Sequence, residues 1–459
     1  MKRYKKLGIL LAVLVVVSGV TFGVMKYQEV KEDIRNSDEI ILELDPTTVQ
    51  TLSWTYDSNT FSFHRDGDWV YDSDEAFPVD EGKMEDLLEP FSSLGVSFVI
   101  ENVEDFGQYG LDEPVCTIDL TTDTDSYQIT VGSYSTMDEQ RYLSIGDGNV
   151  YLVSQDPMEE YDAQLSDLIR HDDVPDLEGV TSIQFVGAQE YEITYKTDSD
   201  NTYCADDVYF VSDGELPLDT TRVEGYLNTI RFLNLSDYVN YKVTQEELAN
   251  YGLDAPDLTV MVNYTVEDDE GNTTDQTFTL TVGRSQDQKD QAADGEEDVS
   301  AYVRVGESSI IYQITGEDYD ALLETSYNDL RHQEVYSGDI KQIYQVDVTL
   351  DGETYTLTAD QAEDSTVWSY DGNEVDATEF ETALTGLTAS SFTDQEPEGS
   401  EEVRLKLYLA DDNFPTVEIT LYRQDGTYCL AQVDGQPVCL VERSAVVTLT
   451  EAIRAIVLG

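Results

Sequence analysis

Three times along the chain an aspartate follows an aliphatic residue, with apolar residues four, seven, eight and eleven positions further on. The aspartates are Asp80, Asp219 and Asp376, preceded by Val79, Leu218 and Val375. The apolar sets are Met84, Leu87, Leu88 and Phe91; Val223, Tyr226, Leu227 and Ile230; and Phe380, Ala383, Leu384 and Leu387. That spacing draws one stripe down a helix. Each aspartate is placed to cap its helix by accepting an orphan amide, and the aliphatic before it fits a hydrophobic staple. In the third copy Glu379 completes a capping box, and in the first Pro90 predicts a kink or an early end.

Ahead of each helix the pattern changes to alternation. VQTLSW (49–54), VTSIQF (180–185) and IKQIYQ (340–345) share one strand pattern. FSFHRDGDWVY (61–71) reads as a hairpin turning at Asp66-Gly67, and YTLTADQAEDSTVWSY is its longer counterpart in the third copy.

Behind the helix comes a near-identical hexapeptide, YGLDEP at 109–114 and YGLDAP at 251–256. In the second copy Thr244 and Glu247 form a capping box that starts a short helix. Gly252 stands where a left-handed residue ends it, Leu253 follows as the apolar contact, and Pro256 forces an extended exit. Gly110, Leu111 and Pro114 match in the first copy. The hexapeptide therefore predicts a helix stop that aims the chain into a sheet, with a binding loop as the lesser reading.

Strands recur after it, as YQITVGS with RYLSIGDGNVYLV and FTLTVGR with AYVRVGESSIIYQI, so that Val131-Gly132 matches Val282-Gly283 and Gly146 matches Gly306. Asp156-Pro157 opens a closing helix as N-cap and first-turn proline. DLIRH (167–171) and DLRH (329–332) end the two copies alike. The third copy has FTDQEPEG (392–399) in place of the hexapeptide, keeps the strands VEITLYR and YCLAQV with PVCLV, and ends in AVVTLTEAIRAIVL. The fold expected is α+β: three related repeats of antiparallel strands with packed helices, at 38–172, 173–335 and a divergent 336–459.

The repeated strands, the capped helix, YGLDxP and the VG strand some twenty residues later resemble the domain of unknown function 4340 family. The resemblance covers nearly all of the chain after residue 37 and is weaker in the third copy. It implies a bacterial membrane-anchored protein, often encoded beside ABC transporters of the gliding-motility type. It implies no activity and brings no functional residues.

The N-terminus agrees with an anchor. MKRYKK precedes an apolar run from Leu7 to Met25, which as a helix spans about 28 Å, close to the ~30 Å of a bilayer's hydrocarbon. The basic tail 1–6 predicts a cytoplasmic N-terminus, with the bulk of the chain outside. The run is long for a cleaved signal peptide, and only Thr21-Phe22-Gly23 resembles a cleavage site, so a single-pass signal anchor is favoured over cleavage. No cysteine precedes Cys116 for lipid attachment. Residues 26–37 read as a polar stalk.

Charge narrows the partners. Against 25 basic residues the chain has 95 acidic ones, for a formal net charge of −70. Five of the basic residues lie within the first 26, where there is no acid. Such a field repels nucleic acid and anionic headgroups and admits cations or basic partners, or serves solubility alone.

Candidate chemistry is sparse. His64 alternates with Phe61 and Phe63 and should face solvent. His171 and His332 follow Arg170 and Arg331 at helix ends, where a cation suits the helix dipole. Neither has a cysteine or Gly-flanked serine in sequence to pair with, and no zinc spacing such as C-x-x-C is present. Cys116 and Cys204 read as small buried hydrophobes. Cys429 and Cys439 flank a hairpin turn and could face one another; the register decides whether a disulfide forms there. The acidic segments VEDDEGNTTDQ (266–276) and DQKDQAADGEED (287–298) could hold calcium on hard oxygen ligands, but lack the EF-hand spacing and read first as solvated loops.

No residue is singled out as catalytic or cofactor-binding, no cofactor is expected, and any metal ligand stays open. The function expected is a non-enzymatic, membrane-anchored extracytoplasmic accessory or binding protein associated with an ABC-type transport complex. A calcium- or glycan-binding surface protein is the alternative, and a cryptic hydrolase with two close carboxylates the second.

Overall fold

The computed structural model describes Ser18 and residues 39–458, apart from 102, 212–214 and 362–365. The segments read as anchor (7–25, Ser18 apart) and stalk (26–37) lie outside the described residues. Among the described residues no helix is long and apolar enough to cross a membrane. Residues up to His171 form one compact unit and Asp172–Gly459 a second.

The first unit holds one sheet: β1 (Glu39–Leu42), β2 (Val49–Tyr56), β3 (Asn59–Asp66), β4 (Asp68–Tyr71), β5 (Leu94–Ile100), β6 (Cys116–Thr122), β7 (Ser126–Ser135), β8 (Gln140–Ser144) and β9 (Val150–Val153). The second unit holds two. One contains β10 (Val180–Gly187), β11 (Tyr191–Tyr195), β12 (Tyr209–Val211), β13 (Leu216–Pro217), β14 (Tyr238–Asn240), β15 (Leu258–Glu267), β16 (Thr273–Gly283), β17 (Ala301–Val305) and β18 (Ile311–Ile314). The other contains β19 (Ile343–Leu350), β20 (Glu353–Gln361), β21 (Thr366–Tyr370), β22 (Asn373–Val375), β23 (Ala389–Phe392), β24 (Glu401–Leu409), β25 (Thr416–Arg423), β26 (Tyr428–Val433) and β27 (Gln436–Glu442).

The three sheets share one topology. The second runs β13-β12-β11-β10-β15-β16-β17-β18-β14 and the third runs β22-β21-β20-β19-β24-β25-β26-β27-β23, the same order strand for strand. The first, β4-β3-β2-β6-β7-β8-β9-β5-β1, lacks the strand at one edge and adds β1 at the other. Every pairing in all three is antiparallel. The protein is thus α+β, with three repeat-like sheets.

The helices are α1 (Glu81–Ser92), α2 (Met158–Tyr161), α3 (Thr220–Arg231), α4 (Gln286–Ala293), α5 (Gly316–Leu323), α6 (Tyr327–Leu330), α7 (Thr378–Thr385) and α8 (Arg443–Leu458). All twelve stripe positions, eleven in α1, α3 and α7 and Leu387 two residues past α7, are buried. They meet aromatic residues on the inner sheet faces. Phe185 packs edge-on against Tyr226 at 5.4 Å and Trp368 against Phe380 at 5.7 Å, while in the first sheet Trp54 meets Tyr161 of α2 edge-on at 5.5 Å, and Tyr161 in turn lies 5.9 Å from Phe91 of the stripe. Such offset contacts add to the area each ring removes from water.

Asp80 caps α1 through the Lys83 amide, and Asp219 caps α3 through the Thr221 and Arg222 amides. The same two residues tie their helices to the repeat's closing turn. The Asp80 amide donates to the Leu168 carbonyl at 2.9 Å, and the Asp219 amide to that of Leu330 at 3.0 Å. Asp219→Ala keeps the backbone bond and loses the cap, so we expect a loss of about 1 kcal/mol, measured by chemical denaturation.

Several local expectations change. Ala377 stands at the N-cap of α7, and Asp376 takes the Thr378 amide and hydroxyl, so the box with Glu379 does not form. Pro90 is carried inside α1, which runs on to Ser92: the missing donor falls in the last turn. Residues 340–342 wind as a 3₁₀ turn capped by Asp339, so the third copy's strand starts at Ile343; Pro46–Thr48 behind Asp45 is its counterpart. Pro157, not Asp156, sits at the N-cap of α2, and Asp156 accepts from the Met158 amide. The segments before both hexapeptide glycines are 3₁₀ turns, Gly107–Tyr109 and Glu247–Tyr251, because cap signals serve either kind of turn.

The glycines behave as the spacing requires. Gly110 has φ +72 and Gly252 φ +70, and the Leu253 amide reaches back to the Leu248 carbonyl at 3.0 Å. The turn also lies flat on the end of the VG strand. A Cβ on Gly252 would sit 2.7 Å from the Arg284 carbonyl carbon, and one on Gly283 2.6 Å from the Gly252 oxygen. In the first copy a Cβ on Gly110 would lie 2.9 Å from the Ser133 nitrogen, and one on Gly132 would strike the Tyr109 oxygen. The hexapeptide and the VG pair therefore recur together because their backbones touch. The third copy keeps the contact without the motif: a Cβ on Gly399 would sit 2.8 Å from the Arg423 carbonyl carbon, at the end of β25.

Candidate functional site

Two features stand out once the sheets are in place: a cluster of ligating side chains where the second repeat runs into the third, and the uncovered sheet faces.

The cluster is built from an insertion. β3 and β4 are separated by Gly67 alone, whereas their counterparts β11 and β12 are separated by residues 196–208. This segment leans on the third sheet. Tyr203 stacks on Tyr336 with ring centroids 5.6 Å apart and 10° between planes, and meets Phe414 edge-on at 5.6 Å. Asn413 donates to Asp200 at 3.0 Å. Within the segment the Asp207 amide donates to the Cys204 carbonyl at 3.2 Å, and the Cys204 amide to the Thr202 hydroxyl at 3.0 Å. The Thr202 hydroxyl donates to Asp207 Oδ2 at 2.6 Å.

His332 enters from the other side, just past α6. Its Nε2 lies 2.7 Å from Asp207 Oδ1, and its Nδ1 lies 3.9 Å from both Asp219 Oδ2 and Glu334 Oε2. The Asp207 side chain is 1% exposed and that of His332 19%. Burial pulls the imidazole pKa down, but the Asp207 carboxylate and the Cys204 sulfur outweigh it and hold it at about 10. The ring is therefore a cation at neutral pH, paired with a carboxylate out of water. Two sets of ligand atoms converge on it, Cys204 with Asp207 and Asp219 with Glu334, each set lying with the ring within 4.8 Å.

This corrects two sequence readings. Cys204 is not a buried hydrophobe but a half-buried thiol against a charged ring. His332 does not cap a helix in solvent; the ring turns to Asp207, which lies 125 residues away in sequence. His64 stays half-exposed, as its alternation implied, and pairs with Asp72. Cys116 is buried. Cys429 and Cys439 are free, because Val441 lies opposite Cys429 and Ala431 opposite Cys439. Of the acidic segments, 266–276 folds as the β15–β16 hairpin turn, with Asp268 spent on the Glu270 and Asn272 amides. Much of the other is the helix α4, started by a capping box between Ser285 and Gln288 rather than left as a loop. Neither segment gathers three ligating groups among the described residues.

The second feature follows from alternation. Each sheet buries one face under its helices and leaves the other to water. In the first sheet the open face shows Thr51, Ser53, Thr55, Thr60, Ser62, Thr117, Asp119 and Thr121 in register. In the second it shows Ser182, Gln184, Asn263, Thr277 and Thr279, with Asn263 bonded to Ser182 at 2.9 Å and to Thr277 at 2.6 Å. In the third, Asp347 sits central and accepts from Thr356 at 2.8 Å, Tyr408 at 2.8 Å and Gln345 at 3.0 Å.

Partial burial raises the Asp347 pKa, but these bonds and the Lys406 charge lower it more, to a net value below the usual range. A lowered folded pKa contributes stability above the unfolded value of about 3.9 and loses it as pH falls below that. We expect Asp347→Asn to flatten the acid limb of the stability–pH curve and to leave stability above pH 5 nearly independent of pH at this site. Denaturant midpoints taken across the acid range check it.

The family model described as Domain of unknown function (DUF4340) matches residues 69–206 and 209–406. No curated protein and no solved structure matches the chain.

Proposed function

The chain belongs to the domain of unknown function 4340 family, and from that premise we propose a non-enzymatic accessory protein. In this reading the apolar run 7–25 anchors it in a bacterial membrane. The three repeats stand outside the cytoplasm and bind subunits of an ABC-type transport complex.

The observation that carries the reading is the open, hydrogen-bonding sheet face shown three times with one topology. Threonine, serine and asparagine on a twisted sheet offer donors and acceptors at fixed spacing and little side-chain entropy to lose on contact. Repeated surfaces suit one extended partner better than one reaction. The net charge of −70 favours a partner with basic loops. The association with a transporter comes from what the family resemblance implies.

The test is recovery of full-length protein from its native membrane in mild detergent, with mass spectrometry of what accompanies it. Permease and ATPase subunits retained through a salt wash, and lost when residues 37–459 are removed, are the expected result. Thr55→Arg, Thr277→Arg and Thr356→Arg together should lower that recovery by putting a long cation on each open face. A set of co-purifying proteins without transport subunits overturns the association.

A further inference from the structure

We propose that Cys204, Asp207 and His332 form a binding site for a soft divalent metal ion of the zinc class. The inference goes beyond the sheet-face reading and stands or falls independently of it.

One sulfur, one imidazole nitrogen and one carboxylate oxygen lie within 4.8 Å of one another. That mixture is what zinc takes. Calcium and magnesium prefer oxygen alone, and two of these three donors are not oxygen. Metal–ligand bonds of about 2.0–2.3 Å in a tetrahedron place ligand atoms roughly 3.3–3.8 Å apart. The three atoms lie close enough to reach that range with small shifts: all are within 4.8 Å of one another, and His332 and Asp207, at 2.7 Å, open slightly to admit the ion. The ion then takes the place of the proton they share.

The surroundings are those of a built site. Cys204 and Asp207 come from one turn, fixed by the Asp207 amide on the Cys204 carbonyl and the Cys204 amide on Thr202. The Thr202 hydroxyl occupies Asp207 Oδ2 and leaves Oδ1 for the ion. Behind the ring, Asp219 and Glu334 stand 3.9 Å from Nδ1. Two carboxylates that close, though beyond hydrogen-bond reach, favour positive charge at the site. Asp207 is almost wholly buried, while Cys204 is half-buried, so the site is backed by protein and open on one side. Three protein ligands leave a fourth position for water or for a group on a partner. An ion held here ties the 196–208 segment to the irregular chain after α6 that leads into the third repeat.

The experiment uses the full-length chain in mild detergent, freed of metal by a chelator. Cobalt(II) is titrated in and followed by its sulfur-to-cobalt charge-transfer absorption, and zinc(II) is then added in competition. One equivalent of cobalt, displaced by one of zinc, is expected, with the band lost in Cys204→Ser. Thr202→Val, which removes an outer partner and no ligand, should weaken binding roughly 10–100-fold. Should Cys204→Ser fail to fold, wild-type protein answers the question through alkylation mapped by mass spectrometry: zinc should protect Cys204. No charge-transfer band in folded wild-type protein, a band that survives Cys204→Ser, or Cys204 alkylated equally with and without zinc would each overturn the proposal.

Discussion

Gly252→Ala is expected to destabilise the second repeat by about 2–5 kcal/mol. Two costs add. An L-residue held at φ +70 gives up roughly 1–2 kcal/mol. The new methyl also meets the Arg284 backbone, which follows directly on β16 and cannot swing away as a side chain would. Overpacking of that kind costs roughly 1–3 kcal/mol. Gly271→Ala separates the terms. Its φ of +82 is as demanding, but its Cβ meets only the Glu267 carboxylate at 3.7 Å, so the backbone cost stands alone. The three tryptophans, Trp54, Trp69 and Trp368, lie in the first and third repeats. Fluorescence is therefore the wrong probe. Hydrogen exchange over residues 247–284 reads the second repeat directly, and equal protection in the two variants would show that the close approach costs nothing.

That pair of glycines also marks the border of what the sequence tells. The stripes behind Asp80, Asp219 and Asp376 name the buried helix faces without error, because helical periodicity and burial are the same fact seen along one dimension. The hexapeptide announces a turn for the same local reason. Its contact with the VG strand is not local. Only the folded sheet shows why YGL and VG travel together, and why Gly399 serves the third copy without the motif. The signal at Thr244 and Glu247 starts a turn as expected but a 3₁₀ one, since a side chain accepting an amide fits α and 3₁₀ alike, whereas residues 340–342, which alternate like a strand, wind as a 3₁₀ turn behind Asp339.

The junction cluster lies furthest from a linear reading. Cys204 and Asp207 sit in an acidic stretch where one more aspartate carries no signal, and His332 copies His171 in its flanking residues. A signal was present in another form. The first repeat turns from β3 to β4 through Gly67, whereas the second spends residues 196–208 on the same connection. The third repeat spends only residues 362–365 there, so a connection as long as 196–208 has no part in the shared fold and is the place to look for a separate role.

Asp207→Ala measures that role in the metal-free protein. We expect a loss of about 3–5 kcal/mol, the cost of removing one member of a buried ion pair. The Asp207 side chain is 1% exposed, so its bonds to His332 and Thr202 are made out of water, and its removal leaves both groups without that partner. Asp219 and Glu334 remain near Nδ1 at 3.9 Å, too far for a hydrogen bond, and do not replace it. The damage should cross the junction, because the Tyr203–Tyr336 stack rides on the same segment. Hydrogen exchange should rise at 196–211 and at 332–343 together, and Trp368 fluorescence should report the third repeat's share. A cycle through Asp207→Asn, His332→Gln and the double variant isolates the pair. A coupling below about 1 kcal/mol would mean that the ring sheds its proton and stays packed as a neutral group. With saturating zinc(II) the wild-type protein should gain further stability while both single variants gain little. The ion pair and the ion thus hold the same junction by exclusive means: the proton shared by Asp207 and His332 must leave before the metal can enter.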